Sequence, residues 1–158
     1  MTDARFADGD EAPVALVARD ADDLAVISAL VQDAVLPATE MTFRRRKHQF
    51  ALLLNRFRWE DREAAARAGR RFERVRSILL IDEVVAVRTQ GIDRQDADTI
   101  LSVLSVTWEP GEDGTGRVIL TLAGDGAVAL EVEALEVTLR DVTRPYLAPS
   151  GKAPAHGD

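Results

Sequence analysis

Apolar residues follow two different periods along the first third of the chain. The apolar run over 14–19 predicts a first strand, and Asp20 behind it offers the side-chain oxygen of a helix N-cap. Apolar residues then recur at helical spacing at Leu24, Ile27, Val31 and Ala34. We therefore predict one main helix over 21–35, with Pro37 ending it.

After this helix the pattern becomes that of strands. Met41 and Phe43 alternate with polar residues, a basic turn follows, and alternation resumes over 50–59, which together predict a hairpin. The segment 60–69 is rich in Ala, Arg and Glu and almost lacks large apolar residues. We expect it to form a short surface helix that its last glycine ends.

The second half of the chain consists of short apolar runs separated by turn residues. Runs of this length with β-branched residues favour strands over helices. Further strands are predicted at Ile78–Ile81, Val84–Val87, Ile100–Trp108, Arg117–Ala123 and Val128–Ala134. After Ala134 the apolar residues change parity. Either a continued strand with a β-bulge or a short helix over 135–142 accounts for that change, and we favour the strand.

These elements predict a single α+β domain over residues 13–146. Its sheet is expected to be mainly antiparallel, to have about seven or eight strands, and to be strongly curled or barrel-like, with the main helix near the N-terminus. Residues 1–12 lack periodicity, and residues 147–158 contain prolines and glycines. Both ends are therefore predicted to be a flexible arm and a flexible tail.

Composition excludes several kinds of site. The chain has no cysteine, so it can form no disulfide, thiolate metal site or cysteine nucleophile. Its two histidines are His48 and His156, and no pattern brings them together into a catalytic triad or a metal site. We predict no metal and no cofactor. The absence of cysteine, of a basic leader and of a long apolar run favours a cytoplasmic protein without membrane contact.

Charge is distributed unevenly along the chain. The formal net charge is −7, yet residues 44–76, here called the basic segment, contain twelve of the twenty basic residues and four acidic ones. The basic segment therefore carries +8, which leaves −15 for the remaining residues. A molecule that is acidic as a whole attracts an anion only through such a local excess of positive charge.

Candidates for contact with an anion or an acidic partner all lie in the basic segment: Arg44, Arg45, Arg46, Arg56, Arg58, Trp59, Arg74 and Arg76. Cations interleaved with Phe57 and Trp59 are typical of a surface that holds phosphates and stacks on bases. The more ordinary interpretation is that the arginines pair with the chain's own carboxylates, in part at a subunit interface. Successive residues of a strand point to opposite faces, so the fold decides which arginines share a surface.

Three functions follow from these candidates. We favour a non-enzymatic binding or structural accessory protein whose arginine-rich surface contacts an acidic protein partner or a second subunit. The first alternative is RNA or DNA binding through the same surface. The second is an enzyme that clamps a small anionic metabolite with Arg56 or Arg76 and uses a carboxylate such as Asp82 as base. The chain has no nucleophile elbow and no phosphate-binding loop to support an enzyme.

Five segments in order carry a resemblance to a known family: Asp20–Ala29, Gln32–Val35, Leu54–Glu60, Glu73–Ser77 and Val132–Leu135. Over roughly residues 14–148 the chain resembles the DUF2948 family of uncharacterised alphaproteobacterial proteins. The resemblance implies a small bacterial cytosolic protein. It implies no activity, cofactor or catalytic residue, so the three functions stay open.

Overall fold

The computed structural model describes residues 12–93 and 98–147. The predicted flexible arm, residues 1–12, therefore lies almost wholly outside the described residues. The same holds for the predicted tail, residues 147–158, apart from Leu147 at the end of the last strand.

Strands dominate the described residues. The strands are β1 (Ala15–Ala18), β2 (Val35–Pro37), β3 (Met41–Arg44), β4 (Gln49–Phe57), β5 (Glu73–Ile81), β6 (Val84–Gln90), β7 (Ile100–Pro110), β8 (Gly116–Leu122), β9 (Ala127–Val132), β10 (Val137–Asp141) and β11 (Tyr146–Leu147). The helices are α1 (Ala21–Leu30) and α2 (Arg62–Ala68), with short 3-10 turns at Ala38–Glu40, Arg45–Lys47 and Trp59–Asp61.

These eleven strands form one antiparallel sheet. Its order is β1-β10-β5-β4-β2-β7-β8-β9-β6, with β11 paired to β5 and β3 paired to β4. The prediction of about seven or eight strands was too low, in part because β2 and β11 have only three and two residues. A strand of two or three residues is too short to show an alternating pattern in the sequence. It forms because its backbone pairs with neighbouring strands.

The sheet curls back on itself without closing into a barrel. β6 is last in the strand order, yet the N–H of Val84 donates to the carbonyl oxygen of His48, just before β4, at 2.9 Å. β2 joins the two halves of the sheet by pairing with β4 on one side and β7 on the other. Buried residues of both halves, such as Leu52 and Leu120, belong to one hydrophobic core. The predicted curvature is therefore present and the predicted closure is not.

Helix α1 begins where the sequence predicts and ends earlier. The side chain of Asp20 accepts a hydrogen bond from the N–H of Asp23 at 2.8 Å, which confirms the N-cap. The helix stops at Leu30 instead of running through 21–35. Asp33 then takes the left-handed conformation, with φ of 65°, and breaks the helical path.

The residues after α1 form β2 instead of a last helical turn. Val35 pairs with Asn55 of β4 and with Ser102 of β7, so both sides of the short strand are satisfied. Pro37 is the last residue of β2 and does not end the helix. Pairing of β2 on both sides stabilises the strand more than the helical spacing favours a helix. The apolar residues at that spacing are buried in the core without all being helical.

Two further segments refine the prediction. The residues after β9 break the strand, and β10 follows, so 135–142 contains a strand and no helix. α2 lies within the predicted segment 60–69 and ends at Gly69, whose φ is 68°. The described part of the chain thus has two α-helices, the main helix α1 and the short helix α2 that was expected within 60–69.

Candidate functional site

β4 divides the basic segment into two groups. Arg44–Lys47 precede the first residue of β4, whereas Arg56 and Arg58 lie at its other end. Arg74 and Arg76 lie on β5 beside that second end. Nine residues of strand span roughly 30 Å. The candidate residues therefore do not share one surface.

Arg56 lies inside the protein and is 0% exposed. Its guanidinium donates to both carboxylate oxygens of Glu60 at 2.9 Å, and to the two oxygens of Asp141 at 2.9 and 3.0 Å. Its Nε donates to the hydroxyl oxygen of Ser77 at 3.0 Å. Arg56 thus has bidentate contacts with two carboxylates, the geometry that a guanidinium favours. The expected surface position of Arg56 is corrected to a buried one.

Asp141 joins several strands around this guanidinium. Its Oδ1 accepts a hydrogen bond from the Ser77 hydroxyl at 2.7 Å, and its Oδ2 accepts one from the N–H of Val14 at 2.9 Å. Ser77 lies on β5, Asp141 on β10, and Val14 immediately precedes β1. A polar layer therefore ties together β1, β10, β5 and β4, the first four strands of the sheet order.

The charge of Arg56 is retained although the residue is buried. Burial by itself lowers the pKa of Arg56, but the hydrogen bonds and negative charges of Glu60 and Asp141 outweigh it, and the pKa is raised. Two opposite charges held out of water depend on each other, and removing one partner of such a pair typically costs about 3–5 kcal/mol. We conclude that these contacts hold Arg56 as part of the scaffold.

A second set of ion pairs continues from the first. Arg58 is 1% exposed; its Nη1 donates to Glu73 and lies 3.7 Å from Oδ2 of Asp61. Asp61 is equally buried and accepts two hydrogen bonds from Arg70, at 2.6 and 2.7 Å. Nε and Nη2 of Arg58 have no hydrogen-bond partner among residues 12–93 and 98–147, although Nε lies 3.6 Å from Oε2 of Glu60. Arg58 is thus a second candidate that is buried instead of exposed.

We call these linked groups the ionic network: Arg56, Arg58, Glu60, Asp61, Arg70, Glu73, Ser77 and Asp141. Burial by itself raises the pKa of Asp61, but the hydrogen bonds from Arg70 and the positive charges of Arg58 and Arg70 outweigh it, and the pKa is lowered. The network contains three arginines and four carboxylates, so its formal charge is 3 − 4 = −1. It therefore has no net positive charge to attract an anion.

Trp59 is half-buried and packs against its neighbours. Its indole Nε1 donates to the carbonyl oxygen of Gln32 at 2.9 Å. Its ring meets Phe57 edge to face, with the centroids 4.8 Å apart, and the guanidinium of Arg62 lies 5.8 Å from its centroid. The aromatic residues that suggested base stacking are thus used to hold the end of β4 against its surroundings.

Arg74 and Arg76 occupy different environments on β5. Arg74 donates to the side-chain oxygen of Asn55 at 2.6 Å and to its carbonyl oxygen at 3.1 Å. Burial lowers the pKa of Arg74, an effect that the charges of Tyr146 and Asp33 oppose only in part. Arg76 is exposed and its backbone pairs with β4. Neither arginine lies near the first residue of β4.

The exposed cations that remain together are Arg44, Arg45, Arg46 and Lys47, which we call the basic turn. A 3-10 turn over Arg45–Lys47 carries them, and His48 ends it in the left-handed conformation with φ of 54°. The guanidinium carbon of Arg45 lies 5.3 Å from the centroid of the Phe43 ring. Within the described chain, none of these four cations forms an ion pair with a carboxylate.

A groove lies beside the basic turn, between β3 and β6. It has a volume of about 270 Å³ and is lined by Phe43, Arg45, Val85, Ala86, Val87 and Thr89. The N–H of Val84 bonds the carbonyl oxygen of His48 beside it, and Nδ1 of His48 lies 3.2 Å from the carbonyl oxygen of Val84. β3 pairs only with β4 and β6 only with β9 in the part of the chain that the structure describes. The groove is thus the place where the curled sheet stays open.

The groove and the ionic network were not predicted from the sequence, for different reasons. Arg56 has the same parity on β4 as the buried Phe50, Leu52 and Leu54, so alternation could have placed it inside. No local signal identifies Asp141 as its partner, since 85 residues separate the two. The groove depends on how far the sheet curls, and the sequence of β3 or β6 alone carries no sign of it.

Two kinds of feature are missing from the described residues: a group of metal-ligand side chains and a membrane-spanning helix. Within 12–93 and 98–147, no three His, Asp or Glu side chains are grouped closely enough to hold a metal ion. No helix there has the length and apolar character needed to cross a membrane.

Asp82, the carboxylate considered as a base, accepts a hydrogen bond from Gln49 at 2.9 Å instead of meeting Arg56 or Arg76.

Comparison with known proteins identifies a family and no activity. A family model described as "Protein of unknown function (DUF2948)" matches residues 14–156, which is nearly the whole chain. No curated protein and no solved structure matches the chain.

Proposed function

Since the chain belongs to the DUF2948 family of proteins of unknown function, we propose from the geometry that it is a non-enzymatic accessory protein whose basic turn binds an acidic protein partner. We further propose that it acts in the cytoplasm, because a chain without cysteine suits a reducing compartment.

One observation carries this proposal: two arginines of the basic segment are buried against carboxylates, whereas three others lie together with Lys47 on an exposed turn. Arg56 and Arg58 are buried and bound to carboxylates. The basic turn is exposed, and its four cations lack carboxylate partners within the described chain. Four adjacent positive charges on a molecule of net charge −7 form a local attraction for an acidic surface, which raises association rates and selects partners.

The other two functions lose the features that favoured them. Nucleic-acid binding drew on Arg58 as a phosphate contact and on Trp59 as a stacking platform. Arg58 is buried against Glu73, and the half-buried Trp59 donates its indole N–H to Gln32. An enzyme with an arginine clamp drew on Arg56 beside a free carboxylate, whereas Glu60 and Asp141 already occupy that guanidinium. The basic turn remains a place where an anion could bind, so RNA belongs in the test.

The proposal is tested by binding of labelled poly-L-glutamate, followed by fluorescence anisotropy at low salt. The variant R44Q/R45Q/R46Q/K47Q removes the four positive charges of the basic turn and leaves every residue of the ionic network unchanged. Exposed ion pairs contribute up to about 1 kcal/mol each, so the variant should bind at least about tenfold more weakly. Rising salt should weaken binding of the unaltered protein, because exposed charges are screened.

A matched control removes four exposed arginines elsewhere, as R19Q/R67Q/R117Q/R140Q. This control should bind poly-L-glutamate as the unaltered protein does. Equal losses in both variants would show a response to net charge and overturn the proposal. Tighter binding of a labelled single-stranded RNA than of poly-L-glutamate, lost in the basic-turn variant, would establish nucleic-acid binding in its place.

A further inference from the structure

We infer that the acidic partner binds as an added β-strand along the free edge of β6, in the groove beside the basic turn. This inference rests on the proposed function and adds the form of the bound segment: extended, apolar at alternate positions, with its acidic residues at the end that meets Arg44–Lys47.

The backbone of β6 offers the hydrogen bonds that such a strand needs. Its register with β9 is continuous from Ala86 to Gln90, and the irregularity between Val84 and Ala86 leaves this stretch intact. In an antiparallel pair, every second residue directs its N–H and C=O away from the partner strand. β6 has no other partner strand within 12–93 and 98–147, so those groups lie on its unpaired edge, and four residues of β6 line the groove. Strand addition to an open edge is a common way to bind an extended peptide.

The side chains around the groove favour an apolar residue of the peptide next to its acidic end. Val85 is 48% exposed, and Phe43 lines the opposite side under the guanidinium of Arg45. An apolar side chain between Val85 and Phe43 would cover surface that is now exposed to water. A carboxylate one or two residues away would then lie within reach of the basic turn.

Charge complementarity favours a separate acidic segment over a second copy of this chain. The residues of β6 include Arg88 and no carboxylate, so a second copy that paired through the same edge would bring no acidic residue with that strand. The backbone of an acidic peptide would form hydrogen bonds with the edge of β6, and its carboxylates would pair with the cations of the basic turn.

The test uses a fluorescent peptide in which alternating valine and threonine precede a run of glutamates, so that a strand antiparallel to β6 has its glutamates beside the basic turn, at the start of β6. A second peptide carries the same side chains with N-methyl groups on alternate backbone amides of the valine–threonine part, which removes strand hydrogen bonds and keeps the charge. The first peptide should bind at least about tenfold more tightly than the second, since an added strand depends on those hydrogen bonds. Amide hydrogen exchange in 84–90 should slow when the first peptide binds.

On the protein side, Val85→Ser should weaken binding of the first peptide about threefold or more, because it removes exposed apolar contact area. Val17→Ser is the matched control: Val17 is 47% exposed and lies on β1, the other terminal strand of the sheet order. Its binding should be unchanged. Both substitutions replace exposed side chains, so both variants should fold.

The outcomes separate this inference from the proposed function. If both peptides bind equally and R44Q/R45Q/R46Q/K47Q loses both, acidic binding stands and strand addition is overturned. If neither peptide nor poly-L-glutamate binds, the proposed function and the inference both fall. If the unaltered protein sediments as a dimer that Val85→Ser dissociates, a second copy occupies the edge and the inference is overturned.

Discussion

At the scale of residues, the function of each arginine follows from the carboxylates within its reach. Arg56 and Arg58 are charged and buried, which is tolerable only because Glu60, Glu73 and Asp141 surround them. The formal charge of +8 over residues 44–76 counts a buried and an exposed arginine alike. Their environments differ so much that one group stabilises the fold and the other stays exposed.

Asp61 provides a prediction about pH. Its folded-state pKa is lowered by Arg70 and Arg58 in spite of burial, so the ionised form stabilises the native protein above the ordinary aspartate pKa of about 4 and loses that effect as pH falls through the folded value. Asp61→Asn should therefore cost about 3 kcal/mol in free energy of unfolding near neutral pH. Urea unfolding of both proteins between neutral and acidic pH measures the difference, which should shrink below about pH 4.

The control for this prediction is Asp125→Asn. Asp125 is exposed in a turn with φ of 67°, a conformation that asparagine also accepts, so its stability should follow that of the unaltered protein across the pH range. A difference between Asp61→Asn and the unaltered protein that stays constant down to acidic pH would contradict an ionic role for Asp61.

At the scale of elements, local signals set where helices and hairpins begin, and pairing partners set where they end. α1 starts at its predicted cap, Asp20, because the cap needs only the N–H of Asp23. The helix ends at Leu30, earlier than predicted, because β4 and β7 pair with Val35–Pro37 and make it the strand β2. The basic turn is likewise local: a 3-10 turn followed by a left-handed residue projects consecutive cations into solvent.

The N-cap yields a prediction at this scale. Asp20→Ala removes the acceptor for the Asp23 N–H and should lower the free energy of unfolding by about 1 kcal/mol. Asp22→Ala is the control, since Asp22 lies in the first turn and contributes only its charge toward the helix dipole, about 0.3–1 kcal/mol at most. Chemical denaturation measures both. A loss for Asp22→Ala that equals or exceeds the loss for Asp20→Ala would contradict capping by Asp20.

At the scale of the whole molecule, curvature makes neighbours of elements that are far apart in the strand order. β6 is the last strand of that order, yet it meets the turn before β4 through the bond from Val84 to His48. That contact places the basic turn beside an unpaired strand edge. The two halves also share one core, so neither half has a separate hydrophobic interior.

The shared core predicts a single unfolding transition. Trp59 follows β4 in one half of the sheet, and Trp108 lies on β7 in the other. In the variants Trp59→Phe and Trp108→Phe, the fluorescence of the remaining tryptophan reports on one half. Its urea midpoint should coincide with the midpoint from far-ultraviolet circular dichroism in both variants, as two-state unfolding requires. An earlier fluorescence midpoint in one variant would show that one half unfolds by itself.

The sequence by itself determined the features that depend on neighbouring residues. Alternation identified the hairpin of β3 and β4 and the strands from β5 to β9, and the Asp20 cap located the start of α1. Exclusion of cysteine chemistry needed only composition. The excess charge of 44–76 was equally evident. Each of these statements rests on a period, a residue type or a short spacing. These are properties of the sequence that do not depend on tertiary contacts.

Only the tertiary structure decided which charges face solvent and what lies beside them. Asp141 reaches Arg56 from 85 residues away, and the groove between β3 and β6 exists because the sheet curls and stops short of closure. Short strands such as β2 depend in the same way on partners distant in sequence. Long-range pairing and desolvation set these features, and neither leaves a local pattern that could be recognised in advance.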